Sequence, residues 1–203
     1  MRAPTREKDM KRFSILATML LAACGHGGPQ EQAPAPAPAL ARPAAPVTSS
    51  AALANADFEQ TGTDDDVPGW VKTQHAGPPS YRMWIDPDAP YAGHGSFHMT
   101  RTLPQVFGSL TQALDAHAFA GKTVEFSARI RTRGAGPGGW KLFIDADMPG
   151  TLVYSQGLTG DSAWKSESVR LKIPALARQL TVGVILLDAG DGWMDDAELK
   201  IVD

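Results

Sequence analysis

From Asn55 to the C-terminus, hydrophobic and polar residues alternate in short runs and show no sustained period of 3.6. In 122–131, Val124, Phe126, Ala128 and Ile130 share one parity, while Glu125, Ser127, Arg129 and Arg131 share the other. A strand places these two sets on opposite faces. Tyr81, Met83 and Ile85 stand against Arg82 and Trp84, and Trp140, Leu142 and Ile144 stand against Lys141, Phe143 and Asp145. Leu180–Leu187 is apolar at both parities, as a central strand requires. The pattern predicts strands at 56–59, 70–73, 81–85, 96–100, 108–114, 122–131, 140–146, 151–156, 164–172, 180–188 and 192–202. Clusters of Gly, Pro and Asp at 64–69, 76–79, 134–139 and 188–192 predict the turns between them. The only helix-like segment is 114–120. Many short strands at this spacing predict an all-β protein built as an antiparallel β-sandwich or jelly roll.

Upstream of Asn55 the pattern changes twice. Lys11 and Arg12 precede an apolar run from Phe13 to Ala23, too short to span a bilayer comfortably as a retained helix. The run ends Leu21-Ala22-Ala23-Cys24, which resembles the lipobox of bacterial lipoproteins. That resemblance implies a signal peptide at 1–23 and lipidation of Cys24 by a diacylglycerol thioether and an amide-linked acyl chain. Gly25 stands where an Asp would be the usual inner-membrane retention signal, so the resemblance also implies the outer membrane, on its periplasmic or surface face. The alternative is an ordinary secretory signal. Met10 is a second candidate start.

Residues 24–53 form a tether rich in Pro and Ala, in which fixed φ angles and missing N–H donors oppose both helix and sheet. At ~3.1 Å per residue, an extended polyproline-like chain of this length reaches at most roughly 80–90 Å. The tether reads as a disordered spacer, with a Pro-rich ligand for a partner domain as the alternative. Residues 54–203 are then the folded module.

The chain of 203 residues has a formal charge of −3, and residues 1–23 hold five basic and two acidic side chains, leaving about −6 beyond them. So acidic a module argues against nucleic acid as a partner, because phosphates demand a basic face. Cys24 is the single cysteine, which excludes an internal disulfide and a thiolate zinc site.

Several phrases of the module occur together in order: Asn55-Ala56-Asp57-Phe58-Glu59, Pro68-Gly69-Trp70, Ala92-Gly93-His94-Gly95-Ser96, Leu110-Thr111-Gln112, 119–128, Trp164 and a closing Trp193-Met194-Asp195-Asp196-Ala197-Glu198-Leu199. This order resembles the galactose-binding-like jelly rolls, especially carbohydrate-binding modules. The resemblance implies a structural calcium between first and last strands, with Glu59 and Asp195 at the matching positions. Asp195 shares parity with Ala197, Leu199 and Ile201, which predicts an inward carboxylate needing either a cation or several donors. Calcium would add backbone carbonyls near Asp57 and Gly93. The alternative is satisfaction by backbone amides or an arginine.

No Gly-x-Ser-x-Gly elbow, His-Glu-x-x-His or phosphate loop is present. His94 and His98 are four apart on a turn and strand, and the acidic clusters at 64–66 and 86–88 read as solvated turns. A sugar site instead pairs an aromatic platform with planar polar groups. The outward set Arg82, Trp84, Arg129, Arg131, Lys141 and Phe143 has that makeup if its strands share a sheet, with Tyr154 and Gln156 as additions. Trp70, Trp164 and Trp193 read as core or edge packing. The expected function is non-catalytic binding of a carbohydrate by an outer-membrane lipoprotein. The alternatives are a protein-interaction module of an envelope complex and, less favoured, a hydrolase. Replacing Cys24 by Ser is expected to move the protein from the membrane to the soluble fraction; retention in membranes would contradict lipidation.

Overall fold

A computed structural model of the chain describes residues 49–51 and 53–203. The segment read as a signal peptide, Cys24 and most of the segment read as a tether lie outside the described residues.

The ten strands are β1 (Ser49–Ala51), β2 (Val71–Gln74), β3 (Tyr81–Asp86), β4 (Ser96–Arg101), β5 (Phe107–Asp115), β6 (Thr123–Asp145), β7 (Val153–Tyr154), β8 (Leu158–Lys172), β9 (Gln179–Leu187) and β10 (Asp191–Ile201). All pairings are antiparallel. The all-β sandwich is the architecture that the alternation predicts.

β6 organises the layers. Its first half pairs with β10 on one side and β8 on the other, giving one layer in the order β3-β4-β10-β6-β8. Its second half pairs with β9 and β7, giving the other in the order β2-β5-β9-β6-β7. The segment 134–139, predicted as a turn, is therefore a passage within one strand. Gly134 (φ 60°) and Gly139 (φ 83°) adopt left-handed backbone there, and the register against β8 shifts on either side of Ala135. The core lies between the layers. Val124, Phe126, Ile130, Phe97, Met99 and Met194 from the first meet Leu142, Ile144, Leu110, Val182, Val184 and Leu186 from the second, all fully buried. The rings of Phe97 and Trp140 stack across the gap at 6.2 Å.

Two expectations need correction. Residues 56–59 form no strand; Phe58 is buried at φ 52° in a turn closed by its N–H donating to the Asn55 carbonyl. The helix-like segment 114–120 is, as expected, a short one, a 3₁₀ turn at Ala116–Phe119 capped by Asp115. Sheet pairing begins earlier than residue 54, since β1 lies beside 199–201 of β10.

Gly192 allows a close approach in the core. A Cβ there would stand 2.3–2.7 Å from three atoms of the Trp140 indole, which is fully buried and held by its own N–H donating to the Trp193 carbonyl at 3.0 Å. Overpacking of this kind costs about 1–3 kcal/mol. Gly192→Ala is therefore expected to lower the melting temperature by several degrees, at roughly 2–4 °C per kcal/mol for a domain of this size; an unchanged transition would show that the indole can move.

Candidate functional site

The outer face of the first layer carries a row of rings and charges set by strand register. Trp84 on β3 lies opposite His98 on β4, His98 opposite Trp193 on β10, and Trp193 opposite Arg131 on β6. Side chains directly opposed across strands are neighbours, and here they stack. The His98 ring centroid lies 4.0 Å from that of Trp84 and 4.0 Å from that of Trp193. The Arg82 guanidinium covers Trp84 at 4.2 Å and that of Arg131 covers Trp193 at 4.8 Å. His98 and Trp193 are thereby only 5% and 3% exposed, although both face away from the core between the layers.

Beneath the stack is a buried polar cluster. His98 places Nδ1 2.9 Å from Asp86 Oδ2 and Nε2 3.0 Å from Asp191 Oδ1. The Trp193 indole N–H also donates to Asp86, and Arg133 pairs with the other oxygen of Asp191 at 3.1 Å. Two carboxylates facing both ring nitrogens require two N–H donors, the imidazolium form. With Arg133, that form makes the cluster neutral. Burial pulls the His98 pKa below its ordinary value against the pull of the two carboxylates, so the double bridge completes as pH falls. Burial pushes Asp86 up, but the Trp193 and Asp88 N–H groups and His98 together hold it below the usual range.

Asp195 lies opposite Arg129, on this outer face. The inward orientation inferred from its parity with Ala197 and Leu199 is corrected by a bulge between Asp195 and Glu198, where Asp196 takes φ 47°. The carboxylate is nonetheless 1% exposed. Its Oδ2 accepts the N–H groups of Tyr91 and Ala92 at 2.9 and 3.2 Å, and Oδ1 accepts that of Asp196 at 2.8 Å. Burial raises its pKa against those donors. Glu59 Oε1 likewise accepts the N–H groups of His94 and Gly95 at 2.8 and 3.3 Å. It sits so close to Gly93 that a Cβ there would overlap the carboxylate. Both acids therefore hold the β3–β4 loop, 87–95, by its amides. For Asp195 this is the amide alternative, and among the described residues no group of three or more His, Cys, Asp or Glu side chains is placed to hold a metal.

The loop they hold presents Tyr91, 40% exposed, against the Arg129 guanidinium at 4.8 Å and the Trp164 ring at 5.7 Å. Trp164 sits in the register shift of β8 between Lys165 and Ser162. Two open depressions lie consecutively along β6 and β8. One, about 530 Å³, includes Arg131, Arg133, Asp161 and Trp164 in its wall. The other, about 500 Å³, includes Arg129, Ser127, Ser166 and Asp196.

Of the six residues expected to form a binding surface, Arg82, Trp84, Arg129 and Arg131 meet on this face. Lys141 and Phe143 do not, because β6 has passed into the second layer before reaching them. There Phe143 packs beside Tyr154 at 6.1 Å, on a different outer face. Tyr91, Trp164, His98, Asp86, Trp193 and Asp191 were not anticipated. The only sequence signal was parity, which sets His98 on the side of β4 opposite to Phe97 and Met99. Trp70 packs in the core as expected, its ring 5.5 Å from Phe58.

No family model matches the chain. It is 25% identical over 154 residues to an uncharacterized HTH-type transcriptional regulator, YbfP, of Bacillus subtilis (strain 168); the match covers 71% of this chain and 52% of the relative, so the chain spans about half that protein's length. Its fold is similar to that of the CBM22-1 xylan-binding domain of Paenibacillus barcinonensis Xyn10C (TM-score 0.51, 16% identity, 77% of this chain and 94% of that one). The same protein's CBM22-1–CBM22-2 tandem gives a TM-score of 0.57 at 16% identity, over 79% of this chain and 47% of that one. The enzymatically active domain of bacteriophage CBA120 tailspike protein 4 gives 0.55 at 13% identity, over 73% of this chain but only 21% of that one. These likenesses establish the fold as a jelly-roll β-sandwich.

Asp195→Ala would remove the three hydrogen bonds that its carboxylate accepts from amides, and is expected to cost at least ~2 kcal/mol, since a hydrogen bond to a charged group contributes about 1.5–3 kcal/mol. With both acids satisfied by N–H groups, the melting temperature is expected to be equal in millimolar calcium and in chelator; a rise in calcium would place a cation at Glu59 and Asp195.

Proposed function

We propose that this protein is a non-catalytic carbohydrate-binding module, displayed on the outer membrane by lipid on Cys24. The observation that carries the proposal is the outer face of the first layer, where Trp84, Tyr91 and Trp164 are half-buried or exposed beside planar guanidinium groups. The apolar face of a pyranose stacks on such rings, and its hydroxyls need donors and acceptors at the edge. Fixed rings keep the entropic cost of binding low. A jelly roll shared with a xylan-binding domain supports the same reading.

Three carboxylates of this face, Asp86, Asp191 and Asp195, favour binding over hydrolysis. A glycosidase needs two acids free to exchange protons across a cleft. Asp86, Asp191 and Asp195 are instead engaged by His98, Trp193, Arg133 and backbone amides. The anchor and spacer read from the sequence would hold such a module beside envelope or extracellular polysaccharide.

A glycan array probed with the full chain in detergent is expected to show saccharide binding with no reducing ends released. Trp164→Ala, at a half-buried position, is expected to weaken it at least tenfold with little change in melting temperature. An array without hits would overturn the proposal, and release of reducing ends would replace it with hydrolysis.

A further inference from the structure

We infer that the glycan is acidic, a carboxylated or sulfated polysaccharide, with its anionic group seated at Arg131 beside Trp164. The inference rests on the carbohydrate-binding reading and narrows its ligand class.

Five arginines lie on this face; Arg170 is paired with Glu125 farther along β8, and the other four divide into two kinds. Arg82 is neutralised by Asp65, which accepts from its Nε at 3.0 Å and Nη2 at 3.3 Å. Arg133 is neutralised by Asp191. Arg129 and Arg131 lie two residues apart on β6, roughly 6.5–7 Å at the strand rise, and among the described residues neither has an ion pair or a hydrogen bond. Each guanidinium is instead laid on a ring, Arg131 on Trp193 and Arg129 on Tyr91. Stacking engages the flat face of the group and leaves its rim of N–H donors, which is the part that recognises a carboxylate or sulfate by two parallel hydrogen bonds. Both side chains are half-buried, so much of the rotamer entropy that binding would cost is already lost on folding.

A neutral sugar accepts hydrogen bonds but has no charge to match an unpaired cation. An acidic unit has one. Position along the groove follows from the acids nearby. Asp57, Asp196 and Glu198 line the depression beside Arg129, so an anion is repelled at that end. The depression beside Arg131 contains Asp161, one oxygen of which accepts the Gly134 N–H. The anionic unit therefore belongs at Arg131 against Trp164, and the chain continues past Tyr91 and Arg129 toward the acidic end with a less charged unit.

The test compares binding of the full chain to polygalacturonate and alginate with binding to xylan and mixed-linkage β-glucan, at low and at 0.3 M salt. The acidic polymers are expected to bind at least tenfold more tightly, with the preference lost at high salt as screening shortens the range of the charge. Arg131→Gln is expected to remove the preference. Asp161→Asn keeps the oxygen that accepts from Gly134 and removes a negative charge, so it is expected to raise affinity for the acidic polymers severalfold; this gain cannot come from misfolding. Equal binding of neutral and acidic polymers, unchanged by either substitution, overturns the inference and leaves the carbohydrate reading standing. Binding of neither class overturns both.

Discussion

The site depends on one core contact. The Trp140 indole, carried from one layer to the other by β6, packs on Gly192 and donates its N–H to the carbonyl of Trp193. It therefore holds β10 from the core side at the residue whose side chain stacks on the outer side. The stack inherits the rigidity of the core, because a well-packed interior does not deform gradually. A buried ring with one exit for its N–H is a good choice for this, since moving it would cost both packing and a hydrogen bond.

Above that contact, electrostatics and stacking support each other. An isolated buried imidazolium would be expensive. Two carboxylates, an arginine and two indole faces surround His98, and when it is protonated at lower pH each addresses a different part of the cost. The carboxylates satisfy its N–H groups, Arg133 balances the second carboxylate, and the rings favour a cation over their faces. The outcome is a flat row across four strands in which little can rotate. The loop over this row is fixed in another way, through its amides, by Glu59 and Asp195. Those two acids position Tyr91, which in turn carries Arg129.

Much of the fold was legible because alternation depends on which face is buried, and here one face of nearly every strand is. The parity of Val124, Phe126, Ala128 and Ile130 correctly sent Arg129 and Arg131 outward, and that of Met83 sent Arg82 and Trp84 with them. Parity failed where the strand itself is irregular. It cannot see that β6 changes layers at the glycines between Gly134 and Gly139, so Lys141 and Phe143 were grouped with residues on another face. It also cannot see the bulge at Asp196, which reverses the side on which Asp195 lies. The cluster around His98 was hidden for a different reason. Asp86, His98 and Asp191 sit on three strands, and no local spacing reports that antiparallel register brings them together. Trp164 was assigned to packing because a lone tryptophan in a strand usually packs; its place in a register shift of an edge strand leaves it half-buried instead.

The division of labour among the charged groups explains why this face suits recognition. Asp86, Asp191 and Asp195 at its centre accept hydrogen bonds from His98, Trp193, Arg133 and backbone amides. The two arginines without acids are the groups whose donor edges remain uncommitted. Had Asp191 paired with Arg131 instead of Arg133, the unmatched charge would fall on the exposed Arg133 and not on Arg131. The register of β6 against β10 prevents this by setting Arg133 beside Asp191 and Arg131 beside Trp193. A displacement of two residues along β6 would set Arg131 beside Asp191 and Arg129 beside Trp193, but would also move Ile130 from Met194 and Trp140 from its place over Gly192. The core therefore enforces which arginine is neutralised and which is left to meet a ligand.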